Sequence, residues 1–193
     1  MPHGAIGTLA IIVALLALSV LASTSPEMTN ALTWHAETRL PRWWSSMSAQ
    51  FVHLGWVHLA VNIGALLLLA YAAHRMALSR ELGFSLLAAF ASVAICLTLL
   101  PPAQSWYVGL SGALHGGFAW ATLQLRKYPS WFGRLGITLF MCGLVKTSME
   151  LTAEPGLVNA LGVAVAPAPH FYGYAGGSLF ALLFRTGATR RGR

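Results

Sequence analysis

Residues 107–125 read YVGLSGALHGGFAWATLQL, a run of 19 residues without Lys, Arg, Asp or Glu. As a helix, a run of this length crosses roughly 30 Å of hydrocarbon. It nevertheless carries a serine between glycines, in Gly109-Leu110-Ser111-Gly112, and an imidazole at His115. Ionisable side chains are expensive in lipid, so a histidine here calls for a physical reason.

Working outward, runs of about 20 apolar residues recur at about 5–23, 51–73, 82–100 and 131–149, and a sixth run begins near His170 and continues to Phe184. That last run must start in the Ala/Pro-rich stretch before His170 or cross a locally thin region. Residues 156–166 are apolar but short, and Pro167 and Pro169 interrupt a continuous helix, which suits an interfacial or re-entrant segment. Met1 to Gly7 holds no Lys or Arg, so the first run is expected as a retained helix in preference to a cleaved secretory signal.

Composition agrees with lipid as the solvent. Of the 193 residues, 56% are hydrophobic and 9% charged, where a soluble domain devotes roughly a quarter to Asp, Glu, Lys and Arg. A net charge of +7 could suggest nucleic acid, but the twelve basic residues are scattered between apolar blocks and form no single face. With six spans, Arg75, Arg80, Arg126, Lys127, Arg134 and the tail Arg185, Arg190, Arg191 and Arg193 fall on one side, leaving Arg39, Arg42 and Lys146 on the other. The positive-inside rule then places both termini in the cytoplasm. The expected fold is one all-α membrane domain over 1–193, a bundle of six transmembrane helices with a basic cytoplasmic tail at 185–193. Cys96 and Cys142 lie in apolar stretches and report neither a disulfide framework nor a metal spacing.

Six-span parity brings the expensive polar groups to one depth. His53, His58 and Asn62 enter from the outer side on the second span, Ser111 and His115 on the fourth, and His170 on the sixth, which predicts an outward-facing polar cavity. His58 and Asn62, four apart, share a helical face. The glycines around Ser111 permit close approach of a substrate carbonyl to peptide N–H groups, although small residues in membrane helices also serve packing alone. Gly112 with Gly116, and Gly173 with Gly177, form two Gly-x-x-x-Gly faces through which the fourth and sixth helices could pack backbone to backbone. His170 would then reach Ser111.

In this order the blocks His53…His58-x-x-x-Asn62, Gly109-x-Ser111-Gly112 and His170-x-x-Gly173-x-x-x-Gly177 resemble the rhomboid proteases. The tryptophan and glycine flanks in His53-Leu54-Gly55-Trp56-Val57-His58 and Trp106 to Gly116 further resemble rhombosortases, a bacterial subfamily. The resemblance implies a Ser/His dyad in which His170 takes the proton from Ser111, with Asn62, His58 and the backbone near Leu110 stabilising the oxyanion, and His53 supporting the site. It implies no cofactor and no metal. Its implied partners are membrane-anchored substrates, with Gly-Gly-type C-terminal signals in the rhombosortase case, cut at the periplasmic face of a bacterial inner membrane.

The chain has no Asp, so no aspartate can orient His170, and packing is expected to do so. Many rhomboids carry a tyrosine where this chain has His115. Four residues after Ser111, that imidazole could stack on His170 or contact Ser111 itself. Lys146 and Glu150, at i and i+4, are expected as an ion pair near the outer boundary. Two rivals from other classes are a catalytically inactive rhomboid-like protein that binds membrane helices and a haem or metal protein using His53, His58, His115 and His170.

Overall fold

The computed structural model describes residues 13–15, 17–128, 131–152 and 165–184. The tail 185–193, most of the 156–166 segment and the start of the first apolar run lie outside them. A short apolar helix, Val13–Ala22, leads into the chain. It is followed by α1 (Pro26–Leu32), the two-residue strand β1 (Trp34–His35), the one-turn α2 (Ser45–Ser48), α3 (Gly55–Arg75), α4 (Ser79–Leu99), strand β2 (Trp106–Tyr107), α5 (Ser111–Leu125), α6 (Trp131–Leu151) and α7 (Pro167–Leu183). The protein is therefore mostly helical, with one small antiparallel pair that the sequence did not announce.

Among the described residues, α3 and α4, of 21 residues each, are long and apolar enough to cross a membrane by length and composition. Trp56, Leu68, Leu99, Met149 and Leu183 all project outward. Buried positions instead hold small or polar groups beside the larger core residues Leu66, Leu82 and Trp120. Large apolar groups outside and close backbone packing inside is the arrangement that lipid favours, since association there rests on packing and interhelical hydrogen bonds.

Helix α5 sits at the centre, packed on α7, α4, α6 and α3. Its seam with α7 is glycine against glycine. A methyl group on Gly173 would collide with the Gly112 carbonyl, and one on Gly177 with the Gly116 carbonyl. Polar ties reinforce the seams: Ser92 Oγ donates to the Tyr172 carbonyl at 2.9 Å, and Tyr174 Oη donates to the Phe140 carbonyl.

Two boundaries differ from the sequence reading. The apolar run at 107–125 becomes helical only at Ser111, because Trp106 and Tyr107 pair with His35 and Trp34 and Gly109 takes φ +111°. This leaves α5 with 15 residues, about 22 Å of helix. Pro167 and Pro169 do not break the last helix. They occupy its first turn, where a missing N–H costs nothing and a fixed φ suits the helix, so α7 starts at Pro167 and carries His170 through its N-terminal end.

Candidate active site

The loop before α5 is pinned from three directions. The Gly109 N–H donates to the Ala49 carbonyl at 2.9 Å, the fully buried Tyr107 turns its hydroxyl onto the Gly109 carbonyl, and the β1–β2 pairing holds the strand behind. Only glycine fits at 109. Beyond its positive φ, a Cβ there would stand 2.8 Å from His58 Nε2. The chain thus leaves an extended loop and enters a helix at Ser111, with the first peptide N–H groups of α5 lacking intrahelical acceptors.

The α5–α7 glycine seam brings the two helix starts together, and His170 Nε2 lies 2.9 Å from Ser111 Oγ. On the other edge of that ring, Nδ1 lies 2.9 Å from Glu150 Oε2. This corrects the expectation that packing alone orients His170. Helix α6 runs antiparallel to α5 and α7, so its last turn, with Glu150, arrives at the level where those helices begin. The expected Lys146–Glu150 pair is present at 2.7 Å, but it engages only Oε1 and leaves Oε2 for the histidine.

His115 stacks on His170, with ring centroids 4.1 Å apart and 21° between planes. Its Nδ1 is 2.8 Å from the Ser111 carbonyl, an acceptor, so Nδ1 carries the proton. Its Nε2, 3.1 Å from Lys146 Nζ, accepts. Neither nitrogen is bonded to the Ser111 hydroxyl.

On the opposite side of Ser111 stand the second-span residues. The Leu54 N–H points at His58 Nδ1 across a long 3.4 Å, which puts the His58 proton on Nε2, the atom facing Gly109. Asn62 Nδ2 donates to the His58 carbonyl at 3.1 Å, and Asn62 lies beside Leu110, His53 and Leu66. Among the described residues no hydrogen bond joins Asn62 to Ser111. His53 sits one layer behind: its ring meets that of His58 edge-on at 4.9 Å, and Nδ1 is 3.0 Å from the Phe51 carbonyl. Burial, with the neighbouring His58 adding to it, pushes His53 down to about 4, so it is neutral at pH 7.

His115, Glu150 and His170 offer ligand atoms within 4.8 Å of one another, yet their geometry does not suit a metal. The lone pairs of stacked imidazoles run in nearly parallel planes and do not converge on one point. The Lys146 ammonium already occupies the space between His115 and Glu150.

Residues 40–187 match the Rhomboid domain, which is most of the chain. The chain belongs to the rhomboid family. Rhomboids are generally serine proteases that act on membrane-protein substrates within the bilayer, and with its apolar helices this rhomboid is a membrane protein. No curated protein and no solved structure matched it. Of the polar residues singled out from sequence, this rhomboid gathers Ser111, His170, His115 and His58 about Gly109 and Gly112, with His53 and Asn62 behind. Glu150 is the residue whose contact with the site sequence reasoning missed. Its position in the final turn of an antiparallel helix was the available signal.

Proposed function

We propose that this rhomboid is an intramembrane serine endopeptidase of the rhombosortase type, cutting transmembrane or C-terminally anchored exported proteins at a Gly-Gly-type sorting signal. The observation that carries the reading is the 2.9 Å contact between Ser111 Oγ and His170 Nε2 at the starts of two helices. In that arrangement His170 takes the hydroxyl proton as Oγ attacks the scissile carbonyl, then returns it to the leaving amine. An ester on Ser111 remains, and water admitted from the outer side hydrolyses it by the same route.

Oxyanion stabilisation falls to the Nε2–H of His58, the side-chain amide of Asn62 and the peptide N–H groups around Leu110 and Ser111. The helix start concentrates such donors where negative charge develops. Gly109 and Gly112 keep side chains out of the space that the substrate backbone needs. Glycines at the cut site supply an extended backbone that a transmembrane helix would deny the nucleophile. An apolar helix approaching from the lipid loses little hydration on docking.

Orientation follows from six spans with both termini cytoplasmic. The starts of α3, α5 and α7 then lie away from the basic loops, at the periplasmic face of a bacterial inner membrane. The test is purified protein in detergent or bilayer with a tagged Gly-Gly-bearing transmembrane substrate. Wild type cleaves it, whereas Ser111→Ala and His170→Ala do not. Cleavage that survives Ser111→Ala overturns the mechanism. Wild-type protein that captures the substrate without cutting it, and takes up no fluorophosphonate at Ser111, is a binding protein instead.

A further inference from the structure

We propose that Glu150 is a positioning residue for His170, extending the Ser111–His170 pair into a Ser–His–Glu triad whose carboxylate is held in turn by Lys146. The proposal rests on the serine-protease reading above.

Each oxygen of the carboxylate has one partner. Oε2 faces His170 Nδ1 at 2.9 Å and Oε1 faces Lys146 Nζ at 2.7 Å. A carboxylate only accepts, so Nδ1 of His170 must carry the proton and Nε2 must present its lone pair to Ser111 Oγ. Without an acceptor at Nδ1, the tautomer protonated on Nε2 competes, and that form cannot take the serine proton. Glu150 thus selects the reactive tautomer and fixes the ring's rotation.

The same contact acts during the reaction. As Oγ bonds to the carbonyl carbon, the C=O π pair moves to oxygen and the hydroxyl proton moves to Nε2. The resulting imidazolium stands between the oxyanion and an ionised carboxylate. On collapse the C=O re-forms, the C–N bond breaks with its electron pair going to nitrogen, and the Nε2 proton goes to the leaving amine. Glu150 stays ionised throughout.

Lys146 makes a carboxylate sustainable at the edge of an apolar helix. Its side chain is 52% exposed and that of Glu150 13%, so the ammonium keeps water while compensating the less accessible anion. The ammonium also donates to His115 Nε2, and His115 donates to the Ser111 carbonyl. The contacts close a ring, Ser111–His170–Glu150–Lys146–His115–Ser111, that locks both imidazoles.

The test compares Glu150→Gln and Glu150→Asp with wild type and Ser111→Ala, using the tagged transmembrane substrate and fluorophosphonate labelling. Gln keeps the size and an oxygen able to accept from Nδ1–H but removes the charge, so a purely structural Glu150 would tolerate it. The expected result is a kcat reduced by about 10²-fold in Glu150→Gln, against about 10⁴ for the corresponding change in a fully buried triad, with KM within about twofold. Glu150→Asp recovers at least about tenfold of that loss because it restores the charge. Proton NMR of the wild type shows a strongly downfield Nδ1–H resonance that disappears in His170→Ala, a readout that does not depend on the Glu150 variants folding. The proposal is overturned if Glu150→Gln keeps kcat within about threefold, if Asp rescues nothing, or if wild type lacks the downfield proton. Activity in Ser111→Ala would instead overturn the serine-protease reading, so the two failures are distinguishable.

Discussion

His115 lies face to face on His170 at 4.1 Å while binding the carbonyl of Ser111, the residue whose hydroxyl His170 contacts. One imidazole therefore accepts from the Ser111 side chain while the other braces its backbone. Because His115 donates through Nδ1 to that carbonyl and accepts from Lys146 through Nε2, it is neutral, and its ring face can stabilise a positively charged partner.

The first prediction concerns that stack. His115→Ala is expected to slow cleavage by about 3- to 10-fold, the worth of an aromatic pair, whereas His170→Ala abolishes it. His115→Phe keeps a ring over His170 but loses both hydrogen bonds, and should lie between His115→Ala and wild type. Initial rates on the tagged substrate measure the order, and equal damage from His115→Ala and His170→Ala would reassign the base.

The glycine seam offers a test of geometry against stability. A Cβ on Gly173 has no room beside the Gly112 carbonyl, so Gly173→Ala forces α5 and α7 apart. Overpacking of this kind costs about 1–3 kcal/mol. The Ser111–His170 contact spans this seam, so fluorophosphonate labelling of Ser111 should fall further than the melting temperature in detergent implies. Gly64→Ala is the control, since nothing lies within 4 Å of a Cβ there.

For the proposed oxyanion site, the tautomer assignment ranks the donors. His58 turns toward the face of Gly109 an Nε2–H that has no partner among the described residues, while one Asn62 amide hydrogen is already spent on the His58 carbonyl. His58→Ala should cost about 10²- to 10³-fold in kcat, the usual loss for one such donor, and Asn62→Ala less. Residual turnover is expected in both. Single-turnover kinetics, which separate chemistry from binding, decide the ranking.

His53 gives a pH dependence of stability. Held near 4 by burial and by His58, it is neutral in the folded protein where an unfolded histidine titrates near 6.5. The unfolded state therefore binds the extra proton first, so this contribution is intact above pH 6.5 and lost as pH falls toward 4. Melting temperatures in detergent between pH 7 and 4 should fall more steeply for wild type than for His53→Asn, which retains an N–H for the Phe51 carbonyl but does not titrate. Parallel curves would mean that His53 is not held neutral.

Sequence alone determined a good deal. Apolar runs separated by basic loops set the sequence of helices, since lipid demands internally satisfied backbone over a fixed length. The register of Ser111, His115 and His170 near helix starts followed from the same runs, as did the pairing of Lys146 with Glu150 at i and i+4. The two Gly-x-x-x-Gly faces told which helices could approach closely. Helix starts were less legible, because Gly109 and the β1–β2 pair hold an apolar stretch extended until Ser111 for reasons that lie in the partner strand.

What only the tertiary structure decided is which side chains share an azimuth as well as a depth. Depth is one-dimensional and can be counted along the chain; rotation about each helix axis is set by packing against neighbours. For that reason Glu150, placed by counting near the outer boundary, reads from sequence as a partner for Lys146 alone. The rotation of α6 against α5 and α7 is what carries its second oxygen to His170 and turns His115 onto the same ring.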